Sequence, residues 1–504
     1  MTKLSTIDAG FIYAENDNCP MSIASLQFMQ LPSGVSSQTF VNTLRSFITQ
    51  RSHLIPYLTS KLQWSSGIWD HPNWVTDEEF DINNHIYAIQ APEPADRQQV
   101  EHIVARLHAQ PLDRNRPLWD IAVITGLANN QVAYYNRVHH ACLDGVAAQA
   151  SFEVLMDRHP DAPGTKTATP GGTRKSISIQ EHVAGLFEAM TMQAIDNITL
   201  TPDRIAATSR LWRRSLDANK GLGAAAMPRP NTRFNKAITG QRAWAAGELP
   251  LIGVKQIARA LKCTVNDVFL ATCGGALRTY LQRHHELPVN SLIAGCPVST
   301  RRGSVRSREQ ASSNQVSMMS VALGTHIEDA RDRVLYVHKS AYTGKAVCME
   351  ATALAPTDLS LPFMGVAVQS GQFIAKHDAL TNPSIPLMNV VISNVPGPRK
   401  PLYSNGAEML SHYPVSIPAH GAGLNITVQS YVDKLYIGIT AAANVASDVS
   451  ALRDDIANAY KALHNSISAP IVHIDDPQTV KNEKKPAVKT PGKTGTMDIS
   501  GKVA

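Results

Sequence analysis

Short runs of β-branched and aromatic residues alternate along the first part of the chain with segments whose apolar residues recur at helical spacing. Residues 22–29 and 131–138 are runs of the first kind and predict strands. Residues 37–51 and about 95–109 are segments of the second kind and predict helices with one buried face. These faces consist of Phe40, Val41, Leu44, Phe47 and Ile48 in the first helix and Val100, Ile103, Val104 and Leu107 in the second. The alternation indicates a mixed α/β (α+β) fold.

The pattern is interrupted at residues 159–176, where proline, glycine and threonine dominate as they do in linkers. Strands are predicted again at residues 424–432 and 435–440. Beyond His473 the chain contains no aromatic residue and is rich in Lys, Pro, Gly and Thr, which is typical of disorder. We therefore predict a first domain at 1–158, a linker with helical and basic segments at 159–241, a second domain at 242–466 and a disordered tail at 467–504.

The predicted linker contains an amphipathic helix followed by a basic stretch. The apolar face of the helix consists of Ile179, Val183, Leu186, Phe187, Met190 and Ala194. The basic stretch contains Arg204, Arg210, Arg213, Arg214, Arg229 and Arg233. Such a stretch suits a phosphate group or a membrane surface, and it also suits an ordinary solvated surface.

Length and composition favour two well-packed domains. A chain of 504 residues exceeds the size at which single cores stop growing, and 43% of it is hydrophobic. The six cysteines form neither a CxxC pair nor a zinc-site spacing, which indicates reduced thiols in the cytoplasm. The formal charge of +6 permits an anionic partner. Nucleic acid is not expected, because the basic segments lack interleaved aromatic residues and any known binding module.

The sequence predicts at most a peripheral contact with membranes. Asp8 lies where a signal peptide needs its apolar core. The longest charge-free runs, residues 359–375 and 379–398, are interrupted by residues such as Pro362 and Pro386, whereas a transmembrane helix needs about 20 predominantly apolar residues.

A histidine pair stands at the end of the strand predicted at residues 131–138. The segment from His139 to Gly145 reads His-His-Ala-Cys-Leu-Asp-Gly, and adjacent residues on a strand point to opposite faces, so only one histidine faces a given cleft. An imidazole, whose pKa lies near neutrality, suits the role of a general base that accepts the proton of an attacking hydroxyl group. We assign that role to His140, with His139 in support. Asp144 is expected to cap the following helix or to pair with an arginine, and Gly145 to form the turn.

Other interpretations of the histidine pair remain open. Most histidine pairs are structural. A metal site would combine His139, His140 and Asp144 with a distant residue such as His420, but adjacent histidines are poorly disposed to chelate one ion, so no metal is expected. The chain lacks a Gly-x-Ser-x-Gly elbow, which disfavours a serine hydrolase.

The His-His-x-x-x-Asp-Gly segment resembles the active-site motif of the bacterial wax ester synthase/acyl-CoA:diacylglycerol acyltransferase family. Five further segments, distributed along the chain, are similar to segments of that family. They are Pro-Leu-Trp at 117–119, Asn-Asp-Val-Phe-Leu-Ala at 266–271, Cys-Pro-Val-Ser-Thr-Arg at 296–301, Ser-Asn-Val-Pro-Gly-Pro at 393–398 and Gly-Leu-Asn-Ile-Thr-Val at 423–428. The resemblance spans about residues 5–465. One departure is Ser22, where members of the family commonly carry histidine.

The resemblance implies two chloramphenicol-acetyltransferase-like domains that meet at a cleft containing His140. Substrate-binding candidates are Asn266, Asp267, Ser299, Arg301 and Trp119. Asn266 and Ser299 are also candidate donors to an oxyanion. Four of these residues have a structural alternative: helix capping for Asn266 and Asp267, a buried aromatic for Trp119 and solvated surface for Arg301.

The resemblance also implies substrates and location. The expected reaction transfers a long acyl group from acyl-CoA, as co-substrate rather than bound cofactor, to a fatty alcohol, a diacylglycerol or both. The expected location is cytoplasmic, with peripheral association to the inner membrane or to lipid droplets. Alternatives are a condensation-type enzyme that uses carrier-bound thioesters and a non-catalytic protein that binds lipid droplets.

Overall fold

Two six-stranded mixed sheets form the frame of the protein. The computed structural model describes residues 2–64, 71–142, 154–161, 201–217, 221–299, 316–352 and 386–468. In spatial order, the first sheet consists of β12 (Tyr403–Ser404), β13 (Ala407–Val415), β2 (Ser22–Gln30), β7 (Gln131–His139), β6 (Trp119–Thr125) and β5 (Ile86–Gln90). The second consists of β10 (Val316–Ala322), β9 (Ile293–Ser299), β11 (Val390–Val395), β14 (Leu424–Tyr431), β15 (Lys434–Ala442) and β8 (Arg242–Pro250). A small sheet contains β1 (Thr2–Lys3), β4 (Asn73–Thr76) and β3 (Ser60–Gln63).

Helices accompany these sheets, which confirms the mixed α/β prediction. The described α-helices are α1 (Thr6–Ala14), α2 (Ser37–Arg51), α3 (Arg97–His108), α4 (Thr201–Leu216), α5 (Leu251–Ala260), α6 (Val265–Arg283), α7 (Ala330–Thr352) and α8 (Val449–Ser468). Among the residues described, no helix has the length and apolar character needed to cross a membrane.

The elements predicted from periodicity in the first part of the chain are confirmed. The strands predicted at 22–29 and 131–138 are β2 and β7, and α2 has the predicted bounds. Helix α3 begins two residues after the predicted start because Asp96 caps it, accepting the Gln99 N–H at 2.9 Å. The helix predicted around Ile179 and the disordered tail lie outside the described residues.

The first sheet is completed by strands from the far end of the chain. Strand β13 pairs antiparallel with β2, so that Val415 lies opposite Ala24 and Tyr413 opposite Leu26. The core that β2 helps to cover also contains Trp244 and Tyr436 from the second sheet. The two sheets therefore share apolar side chains as well as chain connections.

The two sheets are in close contact where β13 passes β15. A Cβ atom added to Gly438 would lie 1.6 Å from the carbonyl oxygen of Pro414, which is far inside van der Waals contact. The indole Nε1 of Trp244 donates to the same oxygen at 3.4 Å, and Ser416 N–H donates to Thr440 Oγ1 at 3.2 Å. Gly438 is required here because only a residue without Cβ permits this approach.

We predict that Gly438→Ala lowers the free energy of unfolding by about 3 kcal/mol or more, because the added methyl group forces the two sheets apart. The measurement is urea denaturation followed by circular dichroism. Gly247→Ala is the matched control on β8, where the nearest atom to an added Cβ is the flexible Arg453 Cγ at 3.2 Å. Equal losses in the two variants would contradict the role assigned to this approach.

Candidate active site

The histidine pair lies where β7 ends and a 3₁₀ turn, His140–Cys142, begins. His139 is fully buried, and its ring Nδ1 accepts the N–H of Ala141 at 3.0 Å. A ring nitrogen that accepts carries no proton, so the N–H of a neutral His139 ring is on Nε2. That atom lies 3.5 Å from Glu15 Oε1, which is longer than a direct hydrogen bond.

His140 is half-buried and held by neighbours from two elements. Its backbone N–H donates to the carbonyl of Met21 at 2.8 Å, which fixes the turn against the start of β2. Its ring stacks on Phe11 of α1, with ring centroids 4.0 Å apart and planes 14° from parallel. Stacking of this kind fixes the plane of the imidazole while leaving its nitrogens at the edge of the stack.

A buried carboxylate, Glu15, joins the segments around the histidines. Its Oε1 accepts the N–H of Met21 at 3.0 Å, and its Oε2 accepts Nε and Nη2 of Arg114 at 3.2 and 3.0 Å. Arg114 Nη2 also donates to the carbonyl of Ile12 at 2.8 Å. Burial by itself raises the pKa of Glu15, but His139, the Met21 N–H and Arg114 outweigh it and lower the pKa to about 2.

A second buried ion pair holds β7 immediately before the histidines. Arg137 donates to both carboxylate oxygens of Asp120, at 3.0 Å from Nε and 2.6 Å from Nη2. Its Nη1 donates to the carbonyls of Leu107 and Gln110, each at 2.6 Å. The bidentate geometry and the two carbonyl contacts satisfy the buried guanidinium, and they tie β7 to β6 and to the end of α3.

Trp119 begins β6, and its side chain is buried. Its indole Nε1 donates to the carbonyl of Leu58 at 3.0 Å, and its ring stacks on His85 at 4.6 Å between centroids. All four residues of the Pro-Leu-Trp-Asp segment are buried, and two of them have polar partners: the Trp119 indole donates to Leu58, and the Asp120 carboxylate binds Arg137.

The Asn-Asp pair lies at the start of α6. Asp267 forms a capping box with Thr264, accepting its N–H at 2.9 Å, and its Oδ2 also lies 2.7 Å from His338 Nδ1 on α7. Asn266 is partly exposed, and its Oδ1 accepts Asn394 Nδ2 at 3.1 Å. This contact joins two of the segments that carry the family resemblance.

The structure describes the remaining candidates only in part. Ser299 ends β9, but its side chain lies outside the described set, as do Asp144, Gly145 and Arg301. Within the part of the chain that is described, no three His, Cys, Asp or Glu side chains are arranged to hold a metal ion. His420, named above as a distant metal ligand, accepts the N–H of Ile238 through Nδ1 at 3.2 Å.

Sequence reasoning missed Glu15, Arg114 and Phe11. An acid directly after the apolar run that ends at Ala14 was a signal in principle, because a buried carboxylate needs a partner. Its partner Arg114 is 99 residues away, and no local pattern connects the two.

Residues 4–269 match the wax ester synthase/diacylglycerol acyltransferase catalytic domain, and residues 312–464 match the C-terminal domain of the same family. The chain is 31% identical over 448 residues to the O-acyltransferase WSD of Acinetobacter baylyi, covering 88% of this chain and 93% of that protein.

Two solved structures extend the comparison. The wax ester synthase/diacylglycerol acyltransferase of Marinobacter aquaeolei is 26% identical, with a TM-score of 0.67 over 93% of this chain and all of that one. The first condensation domain of the CDA synthetase has the same fold, at 14% identity and a TM-score of 0.54 over 93% of this chain and 96% of its own.

We predict that Glu15→Gln destabilises the protein in a pH-dependent way. The folded pKa of Glu15, about 2, lies below the ordinary 4.5, so its contribution is fully present above pH 4.5 and is lost as pH falls towards 2. The shift corresponds to about 3 kcal/mol. Urea denaturation from neutral to acid pH should therefore show a stability difference between native protein and variant that narrows below about pH 4.5.

Asp113→Asn is the control for this experiment. Asp113 is adjacent to Arg114 but forms a half-exposed ion pair with Arg116 at 3.4 Å, so its removal should change stability little. A Glu15→Gln deficit that stays constant with pH would contradict the ionic role of Glu15.

We also predict that Ser22→Ala raises the free energy of unfolding by about 1 kcal/mol. Ser22 lies opposite His139 in the sheet, and its buried hydroxyl has no hydrogen-bond partner among the described residues. Ser430→Ala, measured in the same urea titration, should lower it by about 1 kcal/mol, since the Ser430 hydroxyl accepts the Gly397 N–H at 3.0 Å. A loss of stability in Ser22→Ala would contradict this assignment.

Proposed function

Because the chain belongs to the wax ester synthase/diacylglycerol acyltransferase family, we propose that His140 is the general base of its direct acyl transfer. The protein is an O-acyltransferase that makes wax esters or triacylglycerol. The observation that carries the assignment to His140 is the different environment of the two histidines. His140 is half-buried and stacked on Phe11, whereas His139 is fully buried beside Glu15.

The proposed reaction has one proton relay and no covalent enzyme intermediate. The alcohol oxygen attacks the thioester carbonyl of acyl-CoA while a ring nitrogen of His140 accepts the hydroxyl proton. The tetrahedral intermediate then collapses, the C–S bond breaks, and the imidazolium returns the proton to the departing thiolate. An imidazole serves both steps because its ordinary pKa lies near neutrality.

His139 supports this reaction by position. Its Nδ1 holds the Ala141 N–H and therefore the turn that carries His140. Its Nε2 faces the carboxylate of Glu15, and its burial keeps it away from substrate. Asp144 and Gly145 are proposed to hold and turn the loop that follows.

Asn266 and Ser299 are the proposed donors to the oxyanion. Because Asn266 Oδ1 is the acceptor for Asn394, its Nδ2 protons are directed elsewhere and suit a carbonyl oxygen. Asp267 orders this helix start through its capping box. Arg301 is proposed to bind phosphates of coenzyme A, and the buried Trp119 to support the wall of the site.

The proposed substrates are a long-chain acyl-CoA with a fatty alcohol, a diacylglycerol or both, without a permanently bound cofactor. Such acceptors reside in lipid phases, so we propose peripheral association with the inner membrane or with lipid droplets. The fold shared with condensation domains makes carrier-bound thioesters the second candidate donor. Turnover of free acyl-CoA without a carrier protein distinguishes the two.

We predict that His140→Ala lowers kcat about 10²–10⁴-fold, because the alcohol then loses its proton acceptor. The measurement is thiol release from palmitoyl-CoA with hexadecanol or dioleoylglycerol, with the ester product identified in each case. His53→Ala, which alters an exposed histidine of the same half of the chain, should retain native activity. His139→Ala should retain more activity than His140→Ala. Undiminished turnover in a folded His140→Ala protein would overturn the mechanism.

A further inference from the structure

Two helices in mutual contact carry a group of exposed large apolar side chains. Helices α4 and α7 are joined by an ion pair between Arg214 Nε and Glu350 Oε2 at 3.4 Å. The docking face, as we name it, consists of Trp212 and Leu216 on α4, exposed by 67% and 70%, and Leu335, Tyr342 and Met349 on α7, exposed by 50%, 78% and 51%. Side chains of this size are normally exposed singly, so a group on adjoining helices indicates an interaction surface.

Helical periodicity places these side chains in two stripes. Trp212 and Leu216 are four residues apart and share one face of α4, whereas Arg214, two residues from each, lies on the face directed at Glu350. The apolar members of α4 therefore project away from α7. On α7, Leu335, Tyr342 and Met349 are spaced by seven residues, which is nearly two helical turns, so they lie along one side of the helix.

Cations flank both stripes. Helix α4 contains four arginines and one aspartate, a formal charge of +3, and α7 contains four Lys or Arg and two acids, a formal charge of +2. Lys339 and Lys345 are both exposed, and each lies three residues from Tyr342, on either side of it. Arg213 is exposed, next to Trp212 in sequence and three residues from Leu216, and Arg210 is exposed one turn before Arg214. Apolar stripes with basic flanks are typical of helices that lie in the interface of an anionic bilayer.

We propose that the docking face binds the surface of an anionic lipid bilayer. This inference rests on the proposed function in one respect: an acceptor such as diacylglycerol resides in a bilayer, so the enzyme must reach one. Tryptophan and tyrosine favour the interfacial region of membranes, and the neighbouring cations attract anionic headgroups. A second copy of the chain is a poorer partner, because two faces of the same positive charge repel each other.

The test compares flotation of the protein with vesicles of phosphatidylcholine alone and of phosphatidylcholine mixed with phosphatidylglycerol. Two double variants remove apolar contacts, Trp212→Ser with Leu216→Ser and Tyr342→Ser with Met349→Ser. Each is expected to weaken binding to mixed vesicles about tenfold or more, because a large apolar side chain no longer enters the interface. Ile252→Ser with Val289→Ser is the control. These apolar residues are exposed by 61% and 91% but lie outside α4 and α7, so binding of this variant should equal that of the native protein.

A charge variant tests the electrostatic contribution to bilayer binding. Replacement of Arg210, Arg213, Lys339 and Lys345 by glutamine is expected to remove the preference for phosphatidylglycerol, with about fivefold weaker binding per cation at low salt. Circular dichroism and thermal melting confirm that each variant is folded. A preference for phosphatidylglycerol that survives in the folded charge variant would overturn the electrostatic part of the proposal.

Activity separates this proposal from the proposed function. With palmitoyl-CoA and dissolved octanol, the two apolar double variants and the native protein should have equal turnover rates. With dioleoylglycerol in mixed vesicles, the two apolar double variants should have lower turnover rates than the native protein. Absence of turnover by native protein in both assays would contradict the proposed function alone. Native-like vesicle binding by both folded apolar variants would overturn the docking face. If, in addition, the native protein sediments as a dimer and these variants sediment as monomers, the face is an interface between copies of the chain.

Discussion

The local arrangement of the histidine turn, His140–Cys142, depends on the contacts of the buried Glu15 carboxylate. A charge placed among apolar residues needs partners that compensate its lost hydration, and Glu15 finds them in Arg114, the Met21 N–H and the His139 ring. These partners belong to separate parts of the chain. One ionised group thus fixes the end of α1, the start of β2 and the end of β7 relative to one another, and Met21 then holds the backbone of His140.

The sheets give that arrangement a rigid support. Met21 immediately precedes strand β2. This strand lies between β7, which ends at His139, and β13, which comes from the far end of the chain. The close passage of β13 against β15 at Gly438 brings the second sheet directly against the first. The histidine turn therefore rests on a sheet whose strands come from both halves of the chain. The Arg137–Asp120 ion pair also joins β7, the strand that ends at His139, to its neighbour β6.

Side chains around the histidines and side chains on α4 and α7 differ in what is buried and what is exposed. Around the histidines, polar groups are buried and paired, which orients them without exposing apolar area. On α4 and α7, large apolar groups are exposed beside cations, a pattern that is unfavourable in water and favourable against lipid. Both environments suit the function proposed above, in which the acyl donor is dissolved in water and the acceptor resides in a bilayer.

The sequence by itself determined the strands β2 and β7, the helices α2 and α3, the histidine pair and the family, because each depends on periodicity or motif within a short window. Only the tertiary structure placed β13 beside β2, joined Glu15 to Arg114 and set Asn266 against Asn394. It also decided that Trp212 and Tyr342 stay exposed, although their residue types suit a core. The physical reason is that periodicity reports the environment of neighbouring residues. Contacts between distant segments depend instead on how the whole chain closes, and a local pattern contains no information about that closure.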